Sequence, residues 1–259
     1  MQTRAEQIYI ALATILRKEV VRFIRIWTQT LLPPAITMTL YFLIFGKLIG
    51  SQINRIDGYT YMQYIVPGLV MMSIITNAYA NTSASFFGTK FSKSIEEMMV
   101  APVPNYIIML GFTFGGMLRG LAVGLIVLLV SMCFTPLHIQ HIWVVITMAV
   151  LSATLFSLCG FINGIFAKKF DDVSFIPTFV LTPLTYLGGV FYSINQLPPV
   201  WKNISIFNPI VNIVSTFRYG ILGVSEVSVY FGFSLVCVLF IVLLIWSLVL
   251  LDKGTGLRT

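Results

Sequence analysis

The stretch YFGFSLVCVLFIVLLIWSLVLL, residues 230–251, holds no charged side chain anywhere along its length. As a helix rising ~1.5 Å per residue it covers about 33 Å, close to the ~30 Å hydrocarbon core of a bilayer. The remainder of the 259 residues reads the same way: 58% apolar, 10% charged, mean hydropathy +0.92. A soluble domain is roughly 25% charged because its outside meets water. This chain has too few charges to cover such a surface, so much of its exterior must face lipid. The expected fold is an all-α integral membrane bundle forming one domain over residues 1–259.

Moving back from that span, residues 190–226 are apolar but broken by Pro198-Pro199, Trp201, Lys202, Asn208-Pro209 and Arg218. They read as re-entrant outer helices rather than a full crossing. A fifth span over 173–187 carries Pro177 and Pro183, with Asp172 placed to cap it or complement its dipole. Spans over 142–166 and 106–134 precede it, the latter longer than one crossing needs, with Arg119 placed to snorkel toward the inner interface. The span over 61–87 is polar in its second half, with Thr76, Asn77, Asn81, Thr82, Ser83 and Ser85. Such side chains are costly against lipid and should face other helices or an aqueous path. A polar link with Gln52, Asn54, Arg55 and Asp57 separates it from a first span over 30–49, whose Pro33 and Pro34 suit a first helical turn. These make six spans. Ahead of them, residues 4–26 place Ile8, Leu12, Ile15, Leu16, Phe23 and Ile26 at helical spacing, with Lys18, Arg22 and Arg25 striping another face. That is an interfacial helix whose basic side meets anionic headgroups, followed by Trp27 as an anchor.

Between the second and third spans lies a cytosolic segment, 88–105. Phe91, Ile95 and Met98 recur at i, i+4, i+7, Glu96 and Glu97 flank them, and Pro102 forces Ala101 out of helical geometry. A short amphipathic helix of this kind fits a groove in a partner protein, or is an ordinary interfacial turn. The net charge of +7 sits at segment ends, as orientation in a membrane requires, which argues against nucleic acid as a partner. Cys133, Cys159 and Cys237 stand alone in apolar runs and read as core side chains, and His138 and His141 read as loop residues without a third ligand for a metal. No cleavable signal peptide is expected. Catalytic motifs are absent: no Gly-x-x-x-x-Gly-Lys-Ser/Thr loop, no His-Glu-x-x-His, no Gly-x-Ser-x-Gly. The acidic residues lie mostly at segment ends, unlike those of many ion-driven carriers. Any energy used should come from another chain.

The N-terminal amphipathic helix, the segment Ser94-Ile95-Glu96-Glu97-Met98-Met99-Val100-Ala101-Pro102, the run Phe170-Asp171-Asp172 and Thr182-Pro183-Leu184-Thr185-Tyr186-Leu187-Gly188-Gly189, then Leu197-Pro198, Asn208-Pro209 and Arg218-Tyr219-Gly220 together resemble the type-2 ATP-binding-cassette exporter permeases, the small bacterial inner-membrane kind. The resemblance covers essentially the whole chain. It implies a permease subunit that pairs with a second copy and with two copies of a cytosolic ATPase, on which ATP and Mg would bind; this chain itself would carry no cofactor and no metal. Phe91, Ile95, Glu96, Glu97 and Met98 would match the coupling helix. The helix with Lys18, Arg22 and Arg25 would match the connecting helix that leans on the ATPase. Asn77, Asn81, Thr178, Thr182 and Thr185 would line the translocation path. A passive channel, an assembly scaffold and a membrane-embedded enzyme are the alternatives; the last would need a catalytic cluster that the sequence does not display. Glycans, lipids and drugs all fit a mildly polar path.

Orientation follows from Lys and Arg placement. With the N-terminus inside, the inner segments hold Arg4, Arg17, Lys18, Arg22, Arg25, Lys90, Lys93, Lys168, Lys169, Lys253 and Arg258, and the outer ones only Lys47, Arg55, Lys202 and Arg218. Reporter fusions should therefore place both termini in the cytoplasm; an external C-terminus would overturn the even span count.

Overall fold

The computed structural model describes residues 3–50, 52–53, 55–101 and 103–256. Asn54, Pro102 and Arg258 of the sequence reading lie outside the described residues, as does the side chain of Lys47. The described chain is helical, with one isolated bridge between Ile56 and Tyr59. In order it forms α1 (Arg4–Arg25), α2 (Trp27–Thr30), α3 (Leu32–Tyr41) continuing as a π-helical stretch Phe42–Ile49, α4 (Tyr61–Phe91), α5 (Ser94–Val100), α6 (Asn105–Met132) and α7 (Ile142–Phe166). Then come α8 (Phe170–Ile176), a π-helical Pro177–Leu181, α9 (Thr182–Tyr186), a 3-10 turn Ile194–Gln196, α10 (Pro199–Ile206), α11 (Pro209–Leu222) and α12 (Val229–Asp252).

Local sequence explains the ends. Thr3 and Glu6 close a capping box on α1, and Thr60 and Gln63 close another on α4. Pro33 and Pro34 sit in the first turn of α3, where no backbone N–H is needed. Asn208 accepts from the Ile210 amide at 2.9 Å to start α11. The Asp172 carboxylate accepts from the amides of Lys168 at 2.8 Å and Lys169 at 3.0 Å, which starts α8 and holds that carboxyl below the usual carboxylate range.

Four helical runs among the described residues are long and apolar enough to cross a membrane: Trp27–Gly46, Asn105–Met132, Ile142–Phe166 and Val229–Asp252. Their outer faces are bare hydrocarbon. Only 22% of the most apolar window of α12 is buried, against 56% for α7. The expectation that Cys133 and Cys237 are core residues is corrected on this point: both lie on the outside of the bundle.

The helix α4 is the exception to the apolar pattern and the centre of the structure. It packs on α6 and α7 along most of its length, and Tyr64, Ile65, Leu69, Met71 and Ile75 are fully enclosed. With protein on most sides it can carry polar residues that a lipid-facing helix cannot. Its 31 residues rise about 46 Å, well beyond one hydrocarbon core. It therefore runs past the expected break at residue 88, so Phe91 ends α4 and does not share a short helix with Ile95 and Met98. A turn at Ser92-Lys93, with Lys93 left-handed at φ 59°, separates the two helices.

Close approach between α4 and α6 depends on glycines. A Cβ at Gly120 would meet the Ala78 Cβ at 2.8 Å and the Ile74 carbonyl oxygen at 2.9 Å, whereas one at Gly88 would meet nothing within 4 Å. Gly120→Ala should destabilise by about 1–3 kcal/mol through overpacking against backbone. Gly88→Ala should be neutral or stabilise by up to about 1 kcal/mol through helix propensity. Thermal unfolding of the two purified variants separates them; equal melting temperatures would contradict the packing.

Candidate functional site

The polar half of α4 meets a charged cluster where α1 crosses α6. Ile15, Glu19 and Phe23 recur every four residues and form the buried face of α1, so Glu19 is carried into the contact with the two apolar residues. It is wholly buried. Its Oε1 accepts from Ser85 Oγ at 2.6 Å and its Oε2 from Arg22 Nη2 at 2.9 Å. The same Arg22 nitrogen donates to Asn81 Oδ1 at 2.9 Å. Arg119 of α6 reaches the cluster from the other side, donating to Asn81 Oδ1 and Asn77 Oδ1, both at 3.4 Å. Arg119 thus turns inward rather than out to the interface, and Arg22 faces Asn81 rather than headgroups. Lys18 lies over the Phe112 ring at 5.9 Å, and Arg25 remains exposed.

The candidate coupling residues divide. Ile95 is buried in one apolar cluster with Ile15 of α1 and Phe112 of α6, and Met98 packs against it. Glu96, Glu97 and Val100 are exposed, Val100 at 87%. Phe91 is also exposed, but its ring lies 5.0 Å from that of Phe170 and 6.0 Å from that of Phe87. So α5 packs on the end of α4, enters through Ile95 the apolar cluster that α1 and α6 share, and presents two carboxylates and Val100 on its outer side.

The five candidate path residues are not gathered onto one wall within this chain. Asn77 and Asn81 face the arginines of α1 and α6. Thr178, Thr182 and Thr185 lie on the 170–186 run, where Thr182 donates to Pro177 O at 2.9 Å and Thr185 to Leu181 O at 2.6 Å. Thr178 is exposed.

At the opposite end of α4, Arg218 of α11 is 1% exposed. Its guanidinium stacks over the Tyr64 ring at 3.9 Å and donates to Gly189 O at 2.7 Å and Tyr64 O at 3.3 Å. Glu226 stands 3.9 Å away, accepts from the Ile194 amide at 3.1 Å and bonds the Tyr64 hydroxyl. This clamp ties α4, α11 and the turns after α9 and α11 together.

Sequence reasoning missed Glu19, Glu226 and the inward role of Arg218. Glu19 had a signal: a carboxylate at i+4 from Ile15 and i−4 from Phe23 interrupts the apolar stripe. Arg218 had none, because a cation between apolar residues reads equally as an interfacial charge.

The cluster's energetics are asymmetric. Glu19 compensates Arg22, whereas Arg119 has two long bonds to neutral amides and no carboxylate partner among the described residues. Glu19→Ala should cost about 2–4 kcal/mol, less than for a fully buried pair because Arg22 is a third exposed. Arg119→Leu should cost under about 1 kcal/mol or stabilise, since it removes an uncompensated cation from the bundle. Chemical or thermal unfolding in detergent measures both, and the reverse order would contradict this reading.

A family model described as ABC-2 type transporter matches residues 10–222. Over 254 residues the chain is 56% identical to a protein of Escherichia coli (strain K12) named inner membrane transport permease YadH, covering 97% of this chain and 98% of that one. A more distant relative, nodulation protein J of Rhizobium leguminosarum bv. viciae, is 22% identical over 215 residues, 83% of each chain. The matched region includes α5 and the charged cluster that α1 and α6 make on α4, and it ends with α11. With a model covering most of its length and a relative aligned almost end to end, this chain belongs to the ABC-2 type transporter family.

Proposed function

We propose that the chain is the membrane-spanning permease subunit of an ABC exporter in a bacterial inner membrane. It acts as a dimer and is driven by ATP hydrolysed, with Mg, on two copies of a separate ATPase. Family membership and the relative named an inner membrane transport permease support transport and location. Six crossings follow if α4 and the 170–186 run span beside the four apolar runs. In that topology α11, 14 residues and about 21 Å long, is too short to cross and dips in from outside after α10.

The observation that carries the mechanism is the construction of α5. A seven-residue helix is marginal alone, yet this one packs on α4 and is anchored by Ile95 in the apolar cluster that also holds Ile15 and Phe112. A push on Glu96, Glu97 or Val100 therefore passes to α4 and, through that cluster, to α1 and α6. Those two helices hold Arg22 and Arg119 on the asparagines of α4, the helix assigned to the path. ATPase movement thus has a continuous route through packed helices to Asn77 and Asn81. Thr178, Thr182 and Thr185 would join that path from the facing helix of the dimer.

Glu96→Lys with Glu97→Lys should leave membrane insertion and melting temperature unchanged, because both side chains are exposed. Recovery of the ATPase with the permease should fall by about ten-fold or more, the equivalent of ~1.4 kcal/mol lost from the interface, and transport should fall with it. Unchanged recovery and unchanged transport would reject docking at α5. A passive channel or scaffold would bring down no ATPase even with the unaltered chain.

A further inference from the structure

Three cavities line up along one side of the bundle. The first, about 620 Å3, lies beside the turn into α5 and is walled by Phe87, Phe91 and Phe166 with Lys90, Lys93 and Lys168. The second, about 290 Å3, shares Phe166 with the first and continues between α7 and α12 past Cys159 and Trp246. The third, about 270 Å3, shares Tyr79, Cys159, Ile176 and Leu243 with the second and ends against Leu184 and Pro209. Together they make one furrow that is basic at the α5 end and apolar beyond it.

Charge and length identify its occupant. Among the described residues no acidic side chain lines the basic mouth. The nearby Asp172 accepts from the amides of Lys168 and Lys169, and its charge partly offsets that of Lys168, so the mouth keeps a net positive charge. Lys90 is committed to the end of α7, donating to Ile165 O at 2.7 Å and Ala167 O at 2.8 Å, which leaves Lys93 and Lys168 exposed and free of ion pairs among the described residues. Along α4, Lys90 and Tyr79 are eleven residues apart. That is about 16 Å of helical rise, roughly half of a ~30 Å hydrocarbon core and so the depth of one leaflet.

We infer that this furrow is a binding site for an anionic phospholipid of the inner leaflet, with its headgroup phosphate on Lys93 and Lys168 and an acyl chain lying along Phe166, Cys159 and Leu243. The inference rests on the cytoplasmic placement of the α5 end, not on transport or on an ATPase. A lysine at a membrane surface attracts an anionic headgroup strongly enough that two of them give a preference of about thirty-fold. A bound lipid here touches α4, α7 and α12 at once, so its presence stiffens the joint from which α5 projects.

The test is lipid retention by the purified full-length chain, counted by native mass spectrometry after exchange into detergent containing phosphatidylglycerol or phosphatidylcholine. Phosphatidylglycerol should be retained over phosphatidylcholine by about thirty-fold. In Lys93→Gln with Lys168→Gln the preference should fall to within about two-fold, and Lys93→Arg with Lys168→Arg should restore it. Both lysines are exposed, so the variants keep the fold. Equal retention of the two lipids by the unaltered chain would overturn the site, as would a preference that survives the double glutamine change. Inorganic phosphate that binds the chain as tightly as the lipid would show a headgroup site without a furrow, and also overturns it. A chain that engages no ATPase would still give the expected retention, so this inference and the exporter reading fail separately.

Discussion

Polar groups on α4 have almost no water to turn to, and the arrangement of its neighbours follows from that. A buried hydroxyl or amide without a partner costs about 1–3 kcal/mol, and α4 brings several into the bundle. Thr82 pairs with Ser157 of α7 at 2.5 Å, and Ser157 in turn donates to Thr113 O of α6 at 2.8 Å. Ser83 accepts from Asn163 at 3.0 Å, and Ser85 donates to Glu19. Each of these bonds sets a rotation and a depth for the helix that supplies it. The glycines of α6 matter for the same reason, because without their close approach the short bonds between α4, α6 and α7 would not reach.

Charge follows the same logic at two places. Near α5, Glu19 is buried because Arg22 and Ser85 meet both its oxygens, and the pair brings α1 against the bundle. At the other end, Arg218 is buried because a ring face, two carbonyls and Glu226 surround it. The two sites differ in completeness. Arg218 is enclosed and rigid, whereas Arg119 is held by long bonds to neutral groups. A helix contact held by long bonds separates at lower cost than one held by short charged bonds. The contact of α4 with α1 and α6 is thus the more readily rearranged of the two.

The two faces of the 88–105 segment show how one short element serves two masters. Its apolar residues were read as a docking face, yet Ile95 and Met98 spend that face on their own bundle. What α5 itself leaves outside is Glu96, Glu97 and Val100, with Phe91 and Lys93 exposed just before it. An interface built on it gains its specificity from electrostatics and its mechanical coupling from the buried side.

Sequence by itself determined the class of the molecule and the course of its apolar helices. Four of the expected spans could be read because hydropathy over a bilayer length is a property of consecutive residues, independent of their neighbours in space. The cap at Asp172 and the extended Ala101 before Pro102 were legible for the same reason, each being set within a few residues. Tertiary structure alone decided which way the polar side chains turn. Asn77, Asn81, Arg22, Arg119 and Arg218 are each compatible with headgroups, water or a buried partner. Which they meet depends on the rotation of one helix against another, set by residues tens of positions away such as Gly120 and Ala78. The same holds for the furrow, whose basic mouth draws Lys90, Lys93 and Lys168 from two helix ends that no local pattern relates.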